Sequence, residues 1–161
     1  MDFDERLQKA VARGRQTRST KAGADAAKAL SVDELRNLHS ACRLELSEHI
    51  EDCLRKLEDQ FPGFEFQSVV GEEGWGATLQ RDDVGLSGGK SPTNFYSRLE
   101  LLIRPFSETH IVALTGKGTI RNKETLSREH FQFLADVDPD SFRETIDLWV
   151  VEYAEKYAST S

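Results

Sequence analysis

Most of what would identify a chain at sight is missing from these 161 residues. No run approaches the ~20 apolar residues of a membrane span. The start, MDFDERLQKAVARGRQ, is charged throughout and has no apolar core, so it does not read as a secretory signal. Cysteine is scarce: Cys42 and Cys53 are the two in the chain, and without a signal they are expected as reduced thiols in a cytoplasmic protein. They are too far apart on one helix to form a disulfide. Phosphate loops, dinucleotide fingerprints and nucleophile elbows are all absent. His110 and His130 each neighbour a glutamate in sequence, Glu108 and Glu129, without building a catalytic constellation. No cofactor is expected, and the reading leans away from an enzyme.

Charge is plentiful and unevenly placed. Residues 1–30 carry seven Lys/Arg and four Asp/Glu, +3, and residues 31–161 carry fourteen and twenty-four, −10. Such a body repels a nucleic-acid backbone, which disfavours DNA or RNA as a general partner. The exception would be the first thirty residues. Positions 2–13 look weakly helical, and positions 14–29 hold no large apolar residue. This segment therefore reads as a flexible or weakly helical arm, with Arg13, Arg15, Arg18 and Lys21 as its basic run.

Residues 31–161 read as a single domain. Ser31 followed by Glu34 is a capping box. Leu35, Leu38, Cys42, Leu46, Ile50, Cys53, Leu57 and Phe61 then recur at spacings of three and four, which predicts one long helix that Pro62-Gly63 stops. The period then changes to two. FEFQSVV, WGATLQR, FYSRLELLIR, THIVALTGKGTI and TLSREHFQFL read as strands, with a Gly- and Ser-rich mobile loop over 82–94. Asp138-Pro139 opens a last helix whose stripe is Phe142, Ile146, Trp149, Val150, Tyr153 and Tyr157. The expected fold is α+β: a long N-terminal helix, an antiparallel meander of about five strands, and a C-terminal helix on one face of the sheet.

The stretch TGKGTIRNK resembles a phosphate cradle at first sight, but the residues after its glycines are β-prone and do not start a helix. As a strand it places Gly116 and Gly118 on the apolar side, where something bulky should lie against the backbone, Trp149 or Trp75 being the fillers in view. The opposite side would then gather Tyr96, Arg98, Arg104, Lys117 and Arg121 into a surface for an acidic protein segment or anionic ligand, or else a solvated face of ion pairs. A pocket between sheet and helices would involve Trp75, His110 and Trp149.

The long helix also carries His39 with Cys42 and His49 with Cys53, each pair on one helix face. The pairs are ~15 Å apart along the axis, so four ligands could converge only between two copies. Both cysteines also belong to the apolar stripe, where cysteine acts as a small hydrophobe, and no metal is assigned. The composite expectation is a soluble, non-catalytic binding or scaffold module, a homodimer that engages a protein partner through the sheet's outer face or the long helix. The alternatives are a small-ligand or enzymatic domain with an interior pocket and a nucleic-acid-associated regulator using the basic arm.

Overall fold

The computed structural model describes residues 3–24, 30–85 and 93–160. Helix α1 covers Phe3–Ala24 and helix α2 Val32–Gln60. The Ser31 hydroxyl accepts the Glu34 N–H at 3.2 Å and so satisfies one of the donors that a helix start leaves open. At the far end Phe61 leaves helical geometry and donates its N–H to the Leu57 carbonyl. The buried face of α2 is Leu35, His39, Cys42, Leu46, Ile50, Leu54 and Leu57. Leu38 and Cys53, expected on that face, flank it and are partly buried. A stripe spaced at 3.5 residues drifts around a helix of 3.6 residues per turn, so over a long helix the contact line moves to the neighbouring position.

Five strands come next: β1 (Glu65–Gly71), β2 (Gly74–Gly85), β3 (Thr93–Ile103), β4 (Ile111–Ile120) and β5 (Lys123–Phe133). They pair antiparallel in the order β1-β2-β3-β4-β5, an uncrossed meander. A short 3-10 turn, Leu134–Asp136, leads to helix α3 (Pro139–Thr160). Asp138 caps it, with Oδ1 accepting the Asp140 N–H at 3.2 Å. Pro139 needs no donor at the first helical position. Of the segment expected as a mobile loop, residues up to Gly85 continue β2 and those from Thr93 belong to β3. Residues 86–92 lie outside the described residues, as do the side chains of Arg18 and Lys21.

Helices α2 and α3 lie side by side on one face of the sheet and run parallel. Glu45 pairs with Arg143, His49 with Asp147, and the Phe61 ring meets Tyr157, so partners advance together along both axes. An odd number of antiparallel strands brings the chain out of the sheet in the direction it entered, which sets this orientation. Leu79, Leu99, Leu101, Ile103 and Leu114 from the sheet face Leu46, Ile50, Phe142 and Ile146 from the helices, all fully buried. Burial on this scale, at ~25 cal/mol per Å² of apolar surface, is what holds the two layers together.

The two glycines of β4 sit where α3 comes closest. A Cβ at Gly116 would stand 2.6 Å from Trp149 Cε3, and one at Gly118 would stand 3.0 Å from Tyr153 Cδ2. Tyr153 then passes over the strand and its hydroxyl donates to the Thr119 carbonyl at 2.8 Å. Trp149 is thus the filler at Gly116, while Trp75 lies under the Arg43 guanidinium, 4.2 Å from its ring. The register shift in this strand falls at Gly118/Thr119. Helix α1 reaches the body through an Arg13–Asp138 ion pair, and its Phe3, Leu7 and Val11 are exposed. Among the described residues no helix is long and apolar enough to cross a membrane.

Candidate functional site on the outer face of the sheet

Strand alternation divides the sheet into two unlike faces. Leu99, Leu101 and Ile103 point toward the helices. Tyr96, Arg98, Glu100 and Leu102 therefore point away, as do Ile111, Ala113, Thr115, Lys117 and Thr119 of the neighbouring strand. Neither α2 nor α3 covers this second face.

Two shallow grooves run along it. One, of about 260 Å³, is lined by Tyr96, Arg98, Lys117, Thr119, Asn122 and Glu124. The other, of about 380 Å³, has Ile111 and Ala113 with Pro105 and Phe106, and carries Arg104 and Glu129 at its polar rim. Arg98 is committed to Glu100 at 2.7 Å. Arg104 donates to the Glu73 carbonyl at 2.7 Å, which ties the β1–β2 turn to the end of β3. Lys117 is exposed between Glu100 on β3 and Ser127 on β5 in register.

Tyr96, Arg98, Arg104 and Lys117 thus line grooves of one face, as the alternation implied. Arg121 leaves that row. The β4–β5 hairpin turns through Arg121 and Asn122, both at positive φ, 48° and 71°, so the alternation stops at Ile120 and does not carry on to Arg121. The Arg121 guanidinium stacks on Phe95 at 4.5 Å, a residue of the same parity as Leu99. Asn122 is the signal for the turn: it tolerates positive φ, and its side chain accepts the Tyr96 N–H at 2.8 Å while donating to the Asn94 carbonyl at 3.0 Å.

Phe131 and Phe133 are the residues that sequence reasoning left unassigned. They are 52% and 58% exposed, with ring centroids 6.2 Å apart in an edge-to-face pair. In register they oppose Ala113 and Ile111, which places them beside the larger groove. The even positions of β5 turn inward instead: Leu126 is buried, Arg128 pairs with Glu152 of α3, and His130 meets Phe142 of α3 at 4.8 Å. Polar side chains are tolerated on that inner side because an edge strand is only partly roofed by the helix.

The three residues of the expected pocket have separate partners. Trp75 is under Arg43, Trp149 is against Gly116, and His110 sits in the β3–β4 turn at φ 55°, stacked on Phe106. The four candidate metal ligands also divide. His39 and Cys42 are 2% and 3% exposed, and His39 Nε2 is 3.1 Å from the Arg104 carbonyl. Burial lowers the His39 pKa and raises that of Cys42. Neither can reach a second copy, so the intersubunit set of His39, Cys42, His49 and Cys53 does not assemble. His49 and Cys53 face α3 and meet Asp147 there.

No family model, curated protein or solved structure matches this chain.

Proposed function

We propose that this protein is a small non-catalytic binding module that assembles with a second copy of itself, the outer sheet face of one copy receiving helix α1 of the other. The observation that carries this reading is a sheet face that neither α2 nor α3 covers, with Phe131 and Phe133 exposed on its edge strand while Leu102 and Ala113 farther in are buried. The same chain holds a second uncovered apolar surface. Phe3, Leu7 and Val11 recur every four residues on α1, so they share one helix face, and all three are exposed. Charge on the face is mixed, with Arg98, Arg104 and Lys117 beside Glu100, Glu124 and Glu129, so the basic residues of α1 would have to meet the acidic ones. Apolar patches of this kind on both elements are the usual mark of an interaction surface.

The space between sheet and helices is occupied by Trp149, Tyr153 and Phe142, all buried. That packing supports a module acting through its surface over one with an interior pocket. A partner protein whose helix carries apolar residues four apart beside basic ones would compete for the same face.

Light scattering across a concentration series tests the reading on three proteins: the full chain, a variant lacking residues 1–29, and Phe131→Asp/Phe133→Asp. The full chain should be a dimer and both variants monomers. The double substitution should cost no more than about 0.5 kcal/mol of stability, since it changes exposed positions. A full chain that stays monomeric, or dimers that survive either change, would overturn the proposal.

A further inference from the structure

Helices α2 and α3 bring together three donor groups of different chemistry. His49 Nε2 is 2.7 Å from Asp147 Oδ1. Cys53 Sγ is 3.3 Å from the same oxygen and 3.6 Å from His49 Nε2. One such atom from each residue lies within 4.8 Å of the others. His49 and Cys53 share a helix face because they are four residues apart. Asp147 faces them because the parallel helices are already aligned one turn earlier by Glu45 and Arg143.

We propose that this cluster binds one divalent transition-metal ion of the zinc class, held by His49 Nε2, the Cys53 thiolate and the Asp147 carboxylate, with a fourth position open to water. The distances support it. Tetrahedral zinc, with bonds of ~2.3 Å to sulfur and ~2.0–2.2 Å to nitrogen and oxygen, separates a nitrogen from an oxygen by about 3.4 Å and sulfur from either by about 3.6 Å. The two sulfur edges, 3.3 and 3.6 Å, are already close to that shape. The His49–Asp147 edge has to open from 2.7 Å, and the Asp147 side chain is mostly exposed, so it is free to move. Imidazole plus thiolate selects zinc, cobalt or nickel over magnesium and calcium, which prefer all-oxygen sets.

The metal-free state holds the proton that the ion must displace. There the Cys53 thiol donates its proton in a hydrogen bond to Asp147 Oδ1. Binding is therefore an exchange: the S–H bond breaks, a sulfur–metal bond forms, and the proton passes to solvent. The ion would join two helices through residues 94 apart in sequence. This site is independent of the sheet face, and its test does not depend on the oligomeric state.

Cobalt(II) titration of the reduced full chain is the experiment. One equivalent should produce a thiolate-to-cobalt charge-transfer band with tetrahedral ligand-field absorption, release about one proton, be displaced by zinc, and raise the melting temperature. Cys53→Ser should abolish the band. His49→Gln and Asp147→Asn should each weaken binding at least about tenfold, whereas Cys42→Ser should leave it unchanged. Far-UV circular dichroism checks that each variant is folded. The absence of a charge-transfer band in excess cobalt overturns the proposal. A band that persists undiminished in both His49→Gln and Asp147→Asn does the same, as does one that depends on Cys42.

Discussion

Adding a single methyl group at Gly116 probes the closest contact between the two layers. A Cβ there would lie 2.6 Å from Cε3 and 2.9 Å from Cζ3 of Trp149, where relaxed carbons sit about 3.5–4.0 Å apart. The indole would have to retreat by roughly 1 Å. It has little room, because α3 is pinned nearby by the Tyr153 hydroxyl on the Thr119 carbonyl and by buried Phe142 and Ile146. Two effects compete. Alanine loses less backbone entropy than glycine on folding, a gain of roughly 0.5–1 kcal/mol. Overpacking costs about 1–3 kcal/mol. The clash should win, and Gly116→Ala should destabilise by about 1–2 kcal/mol, or about 2–8 °C for a chain of this size. Urea unfolding measures it. The cause is isolated in a double-mutant cycle with Trp149→Leu, which removes the ring that the methyl meets. In that background Gly116→Ala should be neutral or stabilising, a coupling of about 1–3 kcal/mol. A Gly116→Ala protein as stable as the parent would refute the reasoning, and so would an equal cost in both backgrounds.

Acid should weaken the fold through two histidines, the buried His39 and the half-buried His130. Burial lowers the His39 pKa below 6.5, with Arg43 adding and the bond to the Arg104 carbonyl opposing, and burial also lowers His130. The unfolded chain therefore takes up protons that the folded one refuses, so stability is complete above about pH 6.5 and falls as the pH drops below it. Urea midpoints between about pH 7.5 and about pH 5, a window above most carboxylate titration, should show this slope, and His39→Gln should flatten it. An unchanged slope would clear His39 of the effect. Arg121→Ala should cost about 0.5–1 kcal/mol by removing the stack on Phe95, without altering dimerisation through the outer face. Association that weakened with Arg121→Ala would show that its side chain reaches that face. Any binding to nucleic acid should be weak and steeply salt-dependent, and should vanish when residues 1–29 are deleted. Salt-insensitive binding that survives the deletion would contradict the charge argument.

Local patterning carried most of the architecture. The capping box at Ser31, the change of period after Pro62-Gly63 and the Asp138-Pro139 start each act within a few residues, and the elements from α2 onward formed near their expected bounds, whereas α1 runs to Ala24, beyond the weakly helical stretch expected over 2–13. The parity of β3 and β4 likewise put Tyr96, Arg98, Arg104 and Lys117 on one face, because alternation along a strand is a property of the strand alone. Arg121 escaped because a hairpin turn depends on two strands meeting in register. Phe131 and Phe133 escaped because inward and outward on an edge strand depend on where the helix roof ends. The same limit held for the metal-like residues. Their helical spacing paired His49 with Cys53, but Asp147 is 94 residues from Cys53, and only the parallel packing of α2 and α3 brings it within reach. The sequence by itself determined the elements and their faces, since short-range sterics and burial set both. Tertiary structure decided which faces stay uncovered and which distant donors meet, because those depend on how the layers close.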